Sequence, residues 1–98
     1  MANRVVVSPQ ADLDVDAAWS FIAERNLIAA NELIDRITEA SQTLASAPKM
    51  GRLRPELRSR LRSFPVENYL IFYIEIFGGI EILRIMHARR NVGRSDLT

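Results

Sequence analysis

The apolar positions change their period along the chain, and that change marks out its elements. Val5, Val6 and Val7 form a β-branched run that predicts a short strand over Arg4–Val7. Ser8-Pro9 then offers a helix N-cap and a proline at the first helical position, where a missing N–H does no harm. Across Gln10–Arg25, Ala11, Val15, Ala18, Trp19 and Ile22 share one helical face, while Asp12, Asp16, Ser20 and Glu24 occupy the other. That spacing predicts a helix laid on a sheet, with Trp19 in the core. Asp12 and Asp14 sit near its start, where unpaired backbone N–H groups favour acids. Asn26-Leu27 predicts a tight break before a second helix of about 18 residues ending near Ala47 and Pro48. Its inward stripe is Ala30, Leu33, Ile34, Ile37, Ser41 and Leu44, and Glu32, Asp35, Arg36, Glu39, Gln42 and Thr43 face water. The short connection makes the pair an antiparallel hairpin.

Pro48-Lys49-Met50-Gly51-Arg52 ends this helical half. Beyond it the pattern turns to strands: Leu57–Phe64, a break at Pro65–Asn68, then the aromatic and β-branched Tyr69–Ile76. Phe77-Gly78-Gly79 turns the chain into a last strand, Ile80–Met86, and the nearly continuous apolar character of these two strands predicts central positions. The expected order is β-α-α-β-β-β, an α+β fold in a single domain over residues 1–98, with the polar Asn91–Thr98 as a tail that frays.

Length and composition narrow the function classes. A chain of 98 residues buries roughly 60–65% of its unfolded surface and has one core to offer. No apolar run approaches the roughly 20 residues needed to span a bilayer, and Met1–Arg4 leads directly into Val5 without a leader pattern, so a cytoplasmic protein with no membrane role is expected. With no cysteine and one histidine, disulfides, thiolate metal sites and multi-histidine centres are excluded, and neither a metal nor a cofactor is expected. Gly78-Gly79 lies between strands and lacks the lysine and hydroxyl residue of a phosphate loop. Charge adds more. Residues 1–48 carry seven acids against three bases, net −4, and residues 49–98 carry ten bases against five acids, net +5. A basic second half suits nucleic acid or an acidic peptide, and charge alone does not separate the two.

Several ordered motifs carry a family resemblance: Ser8-Pro9-Gln10-Ala11-Asp12-Leu13, Pro48-Lys49-Met50-Gly51-Arg52, Arg60-Leu61, Tyr69 with Tyr73, and Ile82-Leu83-Arg84-Ile85-Met86-His87-Ala88-Arg89-Arg90. Together they cover nearly all of residues 4–90, and the chain resembles the ParE/RelE toxins of type II toxin–antitoxin modules, lying nearer ParE. The resemblance implies a helical hairpin packed on a small, predominantly antiparallel sheet, and a cognate antitoxin that neutralises the toxin in a hetero-oligomer. ParE-like members poison DNA gyrase and block replication; RelE-like members cleave mRNA on the ribosome, many with an acid–base tyrosine or histidine near the carboxyl end. Here no tyrosine follows His87, and Lys49 is the one lysine beyond the hairpin, which favours the gyrase-directed branch. A member that has lost toxicity and serves as an antitoxin-bound regulator is a third possibility.

RNA cleavage by 2′-OH attack needs a base, an acid and cations beside the phosphate. His87 can fill one proton-transfer role, with Glu56, Glu67 or Glu81 as its candidate partner, but arginines remain protonated and make poor bases. A lone histidine at a strand end more commonly packs or hydrogen-bonds locally. On the family pattern, Arg84, His87, Arg89 and Arg90 are the candidates for target binding, Arg89 and Arg90 because they follow a central strand. Lys49, Arg52, Arg54, Arg58, Arg60 and Arg62 are the candidates for antitoxin or anion binding. In an extended segment Arg58, Arg60 and Arg62 project from one face as a basic stripe, equally suited to discouraging strand addition at an edge. Tyr69 and Tyr73 are read as packing residues whose hydroxyls make hydrogen bonds.

Overall fold

The computed structural model describes residues 3–97. It runs β1 (Arg4–Val7), α1 (Pro9–Ala23), α2 (Leu27–Ser46), a 3-10 turn (Pro48–Met50), β2 (Arg52–Leu53), β3 (Arg62–Val66), β4 (Tyr69–Ile76), β5 (Gly79–His87) and a second 3-10 turn (Arg94–Leu97). The strands form one sheet in the order β1-β5-β4-β3-β2, antiparallel except where β1 runs parallel to β5.

Local chemistry sets the helix limits. The Ser8 hydroxyl accepts a hydrogen bond from the Ala11 N–H at 3.1 Å and donates to the Leu83 carbonyl at 2.9 Å, so the cap also ties α1 to β5. The Asn26 side chain accepts from the Ala29 N–H at 2.9 Å, making the interhelical break and the α2 cap the same residue. Each cap stabilises its helix by about 1 kcal/mol. The buried stripe of α2 is Ala30, Leu33, Ile37, Ser41, Leu44 and Ala45, close to the expected one. Trp19 departs from expectation. Its indole N–H donates to the Asn31 side chain at 2.9 Å across the hairpin, and the ring is only partly covered, because an indole needs a partner for its N–H and finds it at the α1–α2 seam.

The sheet is covered on both faces, which is why β4 and β5 are almost continuously apolar. On the helical side, Ile71, Tyr73, Ile80, Ile82 and Ile85 meet Ala11, Ala18, Leu33, Ile37 and Leu44. On the other, Leu61, Phe72 and Met86 pack with Leu97, flanked by Leu57, Leu70, Leu83 and Val92. Asn91–Thr98 was expected to fray on polarity, yet its described part folds back and buries Leu97 against the sheet. Leu97 and Val92 pack against the sheet, and Arg58, Arg84 and Arg90 bond to Leu97 and Asp96.

The basic segment differs most from expectation. Only Arg52–Leu53 and Arg62–Val66 are extended; turns occupy residues 55–60, so the sheet has five strands and the Arg58/Arg60/Arg62 stripe does not form. Pro55 begins a turn closed by Leu57 N–H to the Arg54 carbonyl at 3.0 Å. Pro65 lies inside β3, opposite Leu70 and beyond the two positions paired with β2, an edge position that needs no donor.

Candidate functional site

At the carboxyl end of β5, Arg84 is held inside the structure. Its Nε and Nη2 donate to Asp14 Oδ2 and Oδ1 at 2.8 and 3.0 Å, and its Nη1 donates to the Asp96 carbonyl at 3.1 Å. Asp14 Oδ2 also accepts the Ile85 N–H at 2.9 Å. The Asp14 bond, against opposing burial, raises the Arg84 pKa above its ordinary value. With side-chain exposures of 13% and 11% for Arg84 and Asp14, this pair clamps α1 to β5 and leaves no free guanidinium for a partner.

His87 ends β5 opposite Tyr69, whose ring it meets edge-on at 5.2 Å between centroids. Its Nδ1 accepts the Arg89 N–H at 3.1 Å, a bond that requires an unprotonated Nδ1. None of the three glutamates considered as its proton-transfer partner meets it. Glu67 pairs with Arg36 at 2.6 Å, and Glu56 pairs with Arg54, whose hydrogen bond holds the Glu56 carboxyl below its usual pKa and so weakens it as a base. Glu81 lies on the same strand as His87, roughly 20 Å away at about 3.3 Å per residue.

Arg89 is exposed and makes no side-chain hydrogen bond or ion pair among the described residues. Arg90 donates to Asp96 Oδ1 at 2.7 Å and is half exposed. The Gly93 N–H, with Arg90 and Arg84 nearby, holds the Asp96 carboxyl below its ordinary pKa. Asp96 thus stands between Arg84 and Arg90 and fastens the tail to the strand end.

The six candidates from residues 49–62 split into two sets. Arg54 donates to Ser63 Oγ at 3.2 Å and lies 5.7 Å from the Phe72 ring centroid; Arg58 donates to the Leu97 carbonyl at 3.1 Å; Arg62 donates to the Lys49 and Gly51 carbonyls at 3.0 and 2.8 Å. These three hold loops together. Lys49, Arg52 and Arg60 are exposed with no such bond among the described residues. Arg60 is the third residue of a turn closed by Leu61 N–H to the Arg58 carbonyl at 3.2 Å, and its φ of 63° is one that turns usually assign to glycine or asparagine. The strain is on the order of 1 kcal/mol.

Tyr73 joins this region to the core. Its buried hydroxyl accepts from the Gly51 N–H and donates to the Pro48 carbonyl, each at 2.8 Å, and burial raises its pKa. A Cβ on Gly51 would overlap that hydroxyl, so the turn accepts only glycine beside the tyrosine. Sequence reasoning also passed over apolar residues outside the inward stripes: Phe77, 96% exposed at the β4–β5 turn, and Leu13, Phe21 and Ile28 on the outer surface of the hairpin. The available signal was their position off the predicted core faces.

A helical hairpin on one face of a small mixed sheet is the architecture of RelE/ParE-like toxins. The model of the ParE toxin of type II toxin–antitoxin systems, parDE, matches residues 5–92, and the chain belongs to that family. It is 26% identical over 97 residues to Toxin ParE1 of Mycobacterium tuberculosis, covering 97% of this chain and 99% of the relative. Toxin RelE2 of Caulobacter vibrioides is 32% identical over 87 residues, covering 89% and 97%. A solved structure described as a chromosomal ParDE TA system from P. aeruginosa superposes with a TM-score of 0.74 at 21% identity, covering 91% of this chain and 97% of that one.

Proposed function

We propose that this toxin acts by binding DNA gyrase and blocking replication in the cytoplasm, and that a cognate antitoxin neutralises it in a hetero-oligomeric complex. The observation that carries the reading is the match to the ParE model over residues 5–92, joined to the absence of any acid at hydrogen-bonding distance from His87 among the described residues. Without that pairing the strand end has a cation surface but no proton-transfer couple, which suits binding better than phosphodiester cleavage. Arg89 and Arg90 would make the target contacts, His87 would shape the turn that presents them, and Arg84 would fix the strand beneath. The chain itself would need no cofactor.

The similarity to RelE2 keeps ribosome-dependent mRNA cleavage as the second reading. Purified toxin titrated into gyrase supercoiling and DNA-cleavage assays, in parallel with ribosome-programmed mRNA cleavage, separates them. Gyrase inhibition that added antitoxin relieves is the expected result. Codon-linked cuts that His87→Ala abolishes, with gyrase unaffected, would replace it with the nuclease.

A further inference from the structure

The two edges of the sheet are not equivalent. β2 spans only Arg52–Leu53, and the part of β3 beyond it carries Pro65, so that edge is guarded against pairing. β1 has no such guard: Val5, Val6 and Val7 run without proline, bulge or charge. Its inner side is fully used. The Arg4 N–H donates to the Gly78 carbonyl at 2.8 Å and the Ser8 N–H to the Ile82 carbonyl at 3.0 Å, so in this parallel ladder the alternate residues Arg4, Val6 and Ser8 address β5. The N–H and C=O groups of Val5 and Val7 therefore point away from the sheet, where no strand of the described residues lies to meet them. Beside that edge, on the helical face, the Val5 and Val7 side chains line an apolar cleft of about 230 Å³ together with Ile34, Thr38 and Gln42 of α2. Val7 is left 39% exposed.

We infer that β1 pairs with β1 of a second copy of this chain, antiparallel about a two-fold axis through Val6, joining the two sheets into one. The outward groups sit one residue either side of Val6, so an inverted copy sets Val5 opposite the partner's Val7 and Val7 opposite the partner's Val5. Each of these pairs exchanges both of its hydrogen bonds, and neither valine keeps an unpaired donor. Pro9, which has no N–H, ends the ladder where α1 begins. Charge favours a copy over an unrelated strand. The register sets Arg4 opposite the partner's Ser8, at the strand end from which the partner's α1 starts with Asp12 in its first turn. Arg4 and Asp12 have no ion-pair partner among the described residues of their own copy, and symmetry brings these opposite charges near each other twice. With the axis perpendicular to the sheet, both α2 helices lie on the same face, and the residues that rim the cleft, Thr38 and Gln42, are uncharged and set up no repulsion between them. The valine side chains of the two edges then extend one apolar floor beneath both helices.

Sedimentation equilibrium of the full chain over a concentration series, with amide exchange read at Val5 and Val7, tests the pairing. A reversible monomer–dimer equilibrium is expected, with exchange at those two amides slowing as the dimer fills. Val7→Lys keeps the ladder to β5 but sets a charge over the partner's Val5, so dimerisation should weaken by about ten-fold or more while the melt of the dilute monomer stays close to wild type. Thiols, which the chain otherwise lacks, read the register. Across the axis the two Val6 residues form a non-hydrogen-bonded pair with Cα atoms roughly 4.5 Å apart, inside disulfide range, whereas Val5 and the partner's Val5 are roughly 8 Å apart and outside it. Oxidised glutathione should therefore crosslink Val6→Cys into a dimer and leave Val5→Cys uncrosslinked. A wild-type chain that stays monomeric at millimolar concentration overturns the inference, and protection of Val5 and Val7 that appears only on adding antitoxin gives the edge to the antitoxin instead. A dimer insensitive to Val7→Lys, or equal crosslinking of the two cysteine variants, overturns it as well, since either result means that the copies meet elsewhere or in another register.

Discussion

Replacing Tyr73 with phenylalanine keeps the ring and removes one oxygen, which isolates the work of the hydroxyl. In the folded protein that oxygen satisfies the buried Gly51 N–H and the part-buried Pro48 carbonyl. A net hydrogen bond contributes about 1 kcal/mol, while a buried donor left without a partner costs about 1–3 kcal/mol. The Pro48 carbonyl is partly accessible to water, so most of the loss falls on Gly51. The variant should therefore lose roughly 2–3 kcal/mol, a fall in Tm of roughly 10–20 °C for a domain of this size. Urea unfolding followed by Trp19 fluorescence and far-UV circular dichroism measures it, with an unchanged m value showing that the folded and unfolded surfaces are the same. Tyr69→Phe is the matched control, because its hydroxyl makes no hydrogen bond among the described residues, and it should cost less than about 0.5 kcal/mol. A Tyr73→Phe loss no larger than that control would refute the reasoning, since it would mean that water or a relaxed turn satisfies Gly51 equally well.

Other consequences follow from the strand-end network. Asp14→Ala strands the Arg84 guanidinium and the Ile85 N–H, and should destabilise by roughly 2–4 kcal/mol in the same urea experiment; a change below about 0.5 kcal/mol would show that the clamp is dispensable. Asp96 titrates below its ordinary value of 3.8, so its contribution is fully present above that pH and is lost as pH falls through the folded value. Amide exchange at Gly93 and Leu97 should accelerate over that acid window before the β4–β5 amides respond, and simultaneous loss of both would count against a separable tail latch. Arg89→Ala with Arg90→Ala should weaken gyrase inhibition by about 2–5 kcal/mol in apparent affinity while leaving the melt close to wild type; equal potency would remove these residues from the target surface.

The helical hairpin was legible because its signals are local. Ser8-Pro9, Asn26 and Pro48 act within one turn of where they stand, and the α2 stripe needs only its own spacing. The β4–β5 hairpin was legible for a related reason, since two apolar strands flank a glycine turn with no room for another connection. The segment from Arg52 to Val66 misled because alternating Arg58, Arg60 and Arg62 imitate a strand, while Arg54 and Arg58 take their geometry from distant groups, the Ser63 hydroxyl and the Leu97 carbonyl. Nothing near Asp14 in the chain announces Arg84, a sequence separation of 70. The candidate site was legible as a set of charges, but not in its division between cations that hold the fold and cations left for partners, because that division depends on which carbonyl each guanidinium reaches.

The parallel pairing of β1 with β5 carries a consequence for how the molecule is made. The first strand emerges from the ribosome with no neighbour in the sheet, and the Ser8–Leu83 bond spans a separation of 75 residues. At synthesis rates of about 5–20 residues per second, that wait lasts roughly 4–15 s. For most of it the nascent hairpin carries Ala11, Ala18, Leu33 and Ile37 before β4 and β5 arrive to cover them. The completed cation surface likewise cannot exist before Arg84 arrives to lock α1 in place, so the chain gains its partner-binding shape only at the end of its own translation.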